Sequence, residues 1–440
     1  MRFLLNVNQV FLTRGVLYAL AFLLSVVIAR SLGPEGRGLY SLFFLVVSLT
    51  ASMASLGIGL GNIYFLGKGK YDRRILLGNS HLLALAATAL LVLGMVVYGL
   101  AFEPRAFVHG ASYWLYAPVA ALVLYFIIMT TFLQGDSRFT AMNALTLFQT
   151  LLLTVAAAGL LYTDRLTIFS LLLAGVASLA AADLLGLALV GLRHLDLGAI
   201  FRPNWAAMRD QIAFGIKGQV ADIAQLFNYR LDAFLVAAFV GTVQVGHYAV
   251  AVGLSEAIWW LSNAVSAVLL PRLTRAGERE AAALTAVLCR NTILISAAGA
   301  AVLALLASLV VKGVFGQAFA PAVEPIYWLL PGVVALSGNK VIASYIFSRG
   351  RVMLNTYDAF IALAATLAFD LLLIPRFGVP GAAMASSIAY GTSLVVAVYW
   401  YGRIFGNNVW EVLLPRSSDL GLYLEVFRRL RARYVPLGRP

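Results

Sequence analysis

Charge is scarce in this chain. Only 12% of its 440 residues are Asp, Glu, Lys or Arg, about half of the roughly 25% found in soluble domains. Hydrophobic residues make up 62% and the mean hydropathy is +0.90, which excludes a water-soluble globule. Cysteine occurs once, at Cys289, so no intramolecular disulfide and no multi-cysteine metal site can form. The four histidines, His81, His109, His194 and His247, lack ligand spacing. The outward loops are all short, which leaves no place in them for a catalytic domain. No nucleophile is placed beside a base and no acidic pair suggests hydrolysis, so the sequence reads as a non-enzyme.

What is present is a succession of long apolar segments. A helix needs about 20 apolar residues to cross a hydrocarbon core, and only helices or closed barrels satisfy their backbone in lipid. Barrel strands would be short and alternating, whereas these runs are long and continuous. The pattern predicts about twelve transmembrane helices, at 8–30, 39–66, 75–101, 113–133, 141–162, 166–192, 211–240, 246–270, 283–311, 322–347, 353–374 and 380–403. Arg2 and Arg14 precede an apolar stretch, but no small-residue cleavage site follows, so the first span is read as retained.

The stretch Ala29 to Leu42, A-R-S-L-G-P-E-G-R-G-L-Y-S-L, separates the first two spans. Pro34 has no amide donor and the glycines admit unusual dihedrals, so one helix ends here and another begins. The spacing of Gly33, Gly38 and Tyr40 recurs in Gly241, Gly246 and Tyr248. That repeat, with six spans on either side of the connection Arg193 to Asp210, predicts two parallel six-helix lobes related by a pseudo-two-fold axis along the membrane normal, an arrangement of transporters. The expected organisation is an N-terminal lobe at 1–192, a cytoplasmic linker at 193–210, a C-terminal lobe at 211–404 and a basic tail at 405–440. In the tail, Leu420, Leu424, Phe427, Leu430 and Tyr434 alternate at helical spacing with arginines, which predicts an amphipathic surface helix on an anionic leaflet.

The net charge of +13 reports topology rather than nucleic-acid binding. One set of loops and tails carries 21 Lys and Arg and the other set 6. Cytoplasmic loops hold that excess, so both termini are expected in the cytoplasm.

Ionisable residues within spans are costly, about 2.5–3.5 kcal/mol at a helix centre, and mark candidate sites. The seventh span carries Lys217, Asp222, Arg230 and Asp232, and Arg14 occupies the first span, its counterpart under the repeat. Further candidates are Asp183, Glu256, Lys340, Asp358 and Asp370, with Asp183, Asp358 and Asp370 weighted towards structural pairing with basic neighbours. The G-x-G-x-G of Gly57, Gly59 and Gly61 lies in an apolar helix, so it indicates packing rather than a dinucleotide cradle.

The motifs I-A-R at Ile28 to Arg30, L-G-P-E-G-R-G-L-Y at Leu32 to Tyr40, Leu56-Gly57, I-P-R-F-G-V-P-G-A-A at Ile374 to Ala383, and the segment Trp410 to Pro415 resemble the Wzx-like polysaccharide/oligosaccharide (O-antigen) flippases. That family sits in a superfamily shared with multidrug extrusion transporters and the lipid II flippase. The resemblance implies a multi-pass protein of the bacterial cytoplasmic (inner) membrane that moves an undecaprenyl-pyrophosphate-linked oligosaccharide by alternating access. It also implies membrane lipids and the polysaccharide polymerase and assembly proteins as partners, and no nucleic acid. It places Arg14, Lys217 and Arg230 as substrate-binding residues on cavity-lining helices. Asp222, Asp232 and Glu256 remain for Na+ or H+ coupling or for charge pairing, with no other cofactor and no metal expected. The competing assignment is an ion-coupled multidrug extruder, which those acids would suit. Arg14, in a first span without any acid, favours an anionic substrate.

Overall fold

The computed structural model describes residues 2–101, 110–190, 203–414, 416 and 419, with side chains from Gly15 onward except at 110, 111, 261, 267, 268 and 271. Every described element is helical: α1 (Arg2–Ala54), α2 (Ile58–Lys68), α3 (Arg73–Ala101), α4 (Tyr116–Gly135), α5 (Phe139–Tyr162), α6 (Ile168–Val190), α7 (Trp205–Phe239), α8 (Thr242–Glu256), α9 (Trp259–Leu273), α10 (Glu278–Val310), α11 (Val323–Ser348), α12 (Val352–Phe377), α13 (Val379–Arg403) and the short α14 (Trp410–Leu413). Nine helical stretches among the described residues are long and apolar enough to cross a membrane. The first of them, Gly15–Ala54, covers two spans. With α7 and the α8–α9 pair added, the twelve expected spans are accounted for. The amphipathic tail helix expected from residue 420 onward lies outside the described residues.

Two spans differ from expectation in the same way. The break between the first and second spans is a single residue, Gly33, at φ 64° and ψ −172°. A positive φ is inexpensive only for glycine, and Pro34 after it cannot donate to the preceding turn. The second span is itself broken between α1 and α2, where Leu56 and Gly57 have positive φ. The eighth span is likewise split between Glu256 and Trp259. Both halves of the chain thus carry a discontinuous second span.

The helices group into two compact units. The first comprises Met1–Ala251, Ser308–Val323 and Asp370–Ala382, and the second Val252–Ala307, Glu324–Phe369 and Ala383–Pro440. The first unit therefore runs on past the Arg193–Asp210 connection.

Within the first unit, apolar clusters fill the spaces between α1 and α6, around Leu76, Leu124, Ile128 and Phe132, and around Phe43, Val47 and Leu172. Its α7 and α8 approach the preceding helices at backbone range. A Cβ on Gly215 would stand 1.9 Å from the Gly57 carbonyl oxygen, one on Gly61 2.5 Å from that of Gln211, and one on Gly246 1.9 Å from that of Pro34. Small residues permit this approach, which suits association in lipid where no hydrophobic drive exists between helices. The repeated G-x-x-x-x-G-x-Y motifs meet here, because a Cβ on Gly38 would strike the Thr242 carbonyl oxygen at 2.0 Å.

A buried amide network fastens the same seam. Gln211 Nε2 donates to Asn62 Oδ1 at 2.7 Å, Asn79 Nδ2 donates to Gln211 Oε1 at 3.0 Å, and Asn62 Nδ2 donates to Ser80 Oγ at 2.9 Å. Asn204 caps α7 by accepting from the Ala207 amide at 2.9 Å, the usual role of an N-cap asparagine. Its own amide donates to Asn79 Oδ1 at 3.2 Å.

The second unit has its core around Leu269, Cys289, Ile342, Tyr345 and Tyr401. Arg290 closes its end with a two-pronged pair, Nε donating to Asp419 Oδ2 and Nη2 to Asp419 Oδ1, each at 2.6 Å. Both side chains are buried. The hydrogen bonds from Arg290 hold the Asp419 carboxyl down at about 2.

Two outcomes are expected. Gly215→Val should lower stability in a detergent melt by at least about 2 kcal/mol through overpacking against backbone, while Gly299→Ala, which meets nothing within 4 Å, should be neutral or gain up to about 1 kcal/mol. Because the Asp419 pKa is depressed, its contribution is complete above the unfolded carboxylate value of about 3.9 and is lost as pH falls towards 2. Limited proteolysis should therefore release the C-terminal segment on acidification over that window, and Asp419→Asn should release it at neutral pH.

Candidate functional site

The residues Asp210, Ala213, Phe214 and Lys217 recur at helical spacing and so share one face of α7. That face meets the last turn of α2, and together they line an open cavity of about 490 Å³ whose walls include Tyr64, Lys68, Lys70, Asp210, Phe214 and Lys217, most of them exposed. Tyr64 and Phe214 stack at 4.0 Å between centroids and 19° between planes, and the Lys68 ammonium lies 5.8 Å from the Tyr64 ring centroid. Lys70 Nζ and Tyr71 Oη both donate to Asp210 Oδ2 at 2.7 Å. Those bonds hold the Asp210 carboxyl below its ordinary range and raise Lys70 above its own.

Three ammonium groups against one carboxylate leave this cavity positive. A concave, partly aromatic, positively charged space suits an anion joined to an uncharged body, for which lysines could replace water around the charge. Lys217 was legible in the sequence as an intramembrane cation. Lys68 and Lys70 registered there only as topology signals, and their signal as site residues is that α2 ends one turn below Tyr64, on the side facing α7.

The other expected substrate residues are not in this cavity. Arg230 stands thirteen positions further along α7, about 20 Å away at 1.5 Å per residue; it is half-buried, and its Nη1 donates to the Tyr229 carbonyl at 3.2 Å. The side chain of Arg14 lies outside the described residues. Asp222 is exposed on α7 between the two cations.

Asp232, by contrast, belongs to a second, acidic site in the first unit. It is 2% exposed and accepts hydrogen bonds from Tyr248 Oη and from the Ala233 amide. Asp370 of α12 is fully buried, interacts electrostatically with Asp232 and has no hydrogen-bond partner on either carboxylate oxygen among the described residues. Tyr248 is the tyrosine of the second repeat motif; its counterpart Tyr40 instead packs against Phe44 at 4.7 Å. Glu256 lies in the second unit and acts electrostatically on Lys340.

Structural pairing with a basic neighbour does not describe the three acids for which it was expected. Asp370 meets another acid, Asp358 Oδ2 accepts from Asn339 Nδ2 at 3.0 Å, and neither oxygen of buried Asp183 has a hydrogen-bond partner among the described residues. Partner choice depends on helix rotation, which sequence spacing alone does not supply. Among the described residues no group of three or more His, Cys, Asp or Glu could hold a metal ion.

If the basic cavity is an anion site, inorganic pyrophosphate should bind the purified protein with an affinity that falls about fivefold in Lys217→Gln or Lys68→Gln, equivalent to about 1 kcal/mol per cation at a partly solvated position. Asp210→Asn should tighten it, and raising ionic strength should shrink all of these differences. Titration calorimetry at two salt concentrations reads each outcome.

No curated protein is significantly similar to this chain. Several solved structures share its fold at low identity. An inward-facing multidrug resistance MATE family transporter of the MOP superfamily is 15% identical with a TM-score of 0.72, covering 89% of this chain and 94% of the other. The lipid II flippase MurJ in an inward closed conformation is 13% identical with a TM-score of 0.71, covering 98% and 94%. A MOP superfamily transporter from Pyrococcus furiosus, described as having a binding pocket of reversed polarity, is 14% identical with a TM-score of 0.65, covering 91% and 95%. These likenesses concern the fold. The family model of polysaccharide biosynthesis proteins matches residues 27–324, and with the all-helical, multi-pass architecture described above, the chain belongs to the polysaccharide biosynthesis protein family.

Proposed function

We propose that this protein is a flippase that carries a lipid-linked oligosaccharide, joined to its polyprenyl chain through a diphosphate, from the cytoplasmic to the outer leaflet of a bacterial cytoplasmic membrane. The observation that carries this reading is the basic cavity of Lys68, Lys70 and Lys217 in a member of a polysaccharide biosynthesis family. A diphosphate is the most strongly hydrated part of such a substrate, and charge-assisted hydrogen bonds from lysines compensate its loss of water. The positive-inside distribution puts that cavity near the cytoplasmic face, where the substrate is made. The reading takes 1–192 and 211–404 as the two lobes that alternate, 193–210 as their cytoplasmic linker and 405–440 as a cytoplasmic tail. Polymerase and assembly proteins that receive the glycan are its expected partners.

Asp232 and Asp370 extend the reading to energy coupling. Two buried carboxylates that act on each other electrostatically repel, so Na+ or H+ bound beside them would favour the packed arrangement of α7, α8 and α12. Tyr248 supplies a neutral oxygen to the same place. A multidrug extruder would use the same acids, but the three-lysine cavity suits an anion rather than a cationic drug.

The test is genetic and chemical. Deleting the gene should abolish the surface polymer and leave single repeat units on lipid carrier in the inner leaflet. Complementation with Lys217→Gln should restore less than about a fifth of the polymer, and Asp232→Asn or Asp370→Asn should remove any dependence of export on the Na+ or proton gradient. Intact glycans together with hypersensitivity to cationic drugs would replace this reading with the multidrug extruder.

A further inference from the structure

The second unit carries a polar stripe to which the reading above gives no task. Trp259 and Asn263 are one turn apart on α9, with Ser266 a turn further on, and Lys340 and Ser344 are one turn apart on α11. Asn263, Ser266, Lys340 and Ser344 are all half-buried rather than sealed in the core. Lys340 lies eight residues from the end of a membrane-length helix, about 12 Å from its terminus, where an ammonium is retained only for a partner or a wet cavity.

Its orientation is fixed from α9. Trp259 Nε1 donates to the Val333 carbonyl at 3.1 Å, which pins the indole against α11, and Tyr390 packs on its edge at 5.5 Å and 68°. The Lys340 ammonium then sits 4.4 Å from the Trp259 ring centroid and donates to Asn263 Oδ1 at 2.9 Å. Ser266 Oγ donates to the Lys340 carbonyl at 3.2 Å and holds the backbone at the same level. An amide oxygen and an indole face position a cation without neutralising it. Glu256, the acid acting on it electrostatically, modulates that charge from the end of α8. An ammonium held in this way keeps donors for an incoming oxyanion, and the Asn263 amide nitrogen stands beside it as a neutral donor.

We propose that Lys340, oriented by Trp259 and Asn263, is an oxyanion-binding residue of the second unit. The ligand is a phosphate of the lipid-linked diphosphate or the carboxylate of an acidic sugar in the glycan. The inference rests on the transport reading given above, and it adds a binding position remote in sequence from the lysines of the basic cavity.

The test uses the full chain in nanodiscs, with inorganic pyrophosphate and glucuronate as probes and glucose as the uncharged control. Lys340→Gln should weaken binding of one probe about tenfold, and Lys340→Arg should retain it within about threefold. A loss confined to pyrophosphate identifies the linker as the ligand, and a loss confined to glucuronate identifies an acidic sugar. Asn263→Asp sets a carboxylate against Lys340 without removing it and should weaken the same probe to a similar extent, which keeps the test open if Lys340→Gln does not fold. Unchanged binding of both probes in Lys340→Gln, or in Asn263→Asp where the first variant does not fold, overturns the proposal. Lys217→Gln separates the two ideas. If it weakens pyrophosphate while the Lys340 and Asn263 variants bind normally, the basic cavity stands and the Lys340 site falls; if neither does, both fall.

Discussion

The close backbone packing of α7 against the first half of the chain is the constraint on which the rest depends. At Gly57 and Gly215 there is no room for a single Cβ on either helix. Within a lipid-embedded unit, packing at that range substitutes for the hydrophobic effect and permits hydrogen bonds that longer side chains would hold apart. The amide network of Asn62, Asn79, Ser80 and Gln211 exists because the helices approach so nearly. Once the register of α7 is set there, its remaining side chains have no choice of neighbour. Asp210 meets Lys70, Phe214 meets Tyr64, and Asp232 falls beside Tyr248 and Asp370.

Electrostatics then divides α7 along its length. Its start is basic, open and lined by aromatic rings; towards its far end Asp232 is buried against Tyr248, two residues after half-buried Arg230. The second unit follows different logic, with Lys340 held against an indole face and an amide oxygen.

The repeat explains why similar motifs end in different roles. Gly38 and Gly246 both serve close approach, each against the other motif. Their tyrosines have diverged: Tyr40 packs in an aromatic group, while Tyr248 donates to an acid that only the seventh span possesses. Geometry is shared between the halves because backbone contact demands it, and chemistry is free to differ because it depends on single side chains.

Much was legible in the residues alone. Apolar runs of membrane length compel helices, since lipid offers no partner for a bare backbone, and Gly33 with Pro34 compels a break. The cost of intramembrane charge singles out Lys217 and Asp232 from the sequence. The sequence could not say that Lys217 joins Lys68 and Lys70 while Arg230 stands about 20 Å off, because a linear charge list carries no helix rotation. Nor could it pair Asp370 with Asp232, 138 positions earlier, or turn Lys340 onto Trp259. Composition and periodicity determined that this chain crosses a membrane many times and where its helices break; the tertiary structure alone decided which charges meet, because that is set by backbone packing between residues distant in the chain.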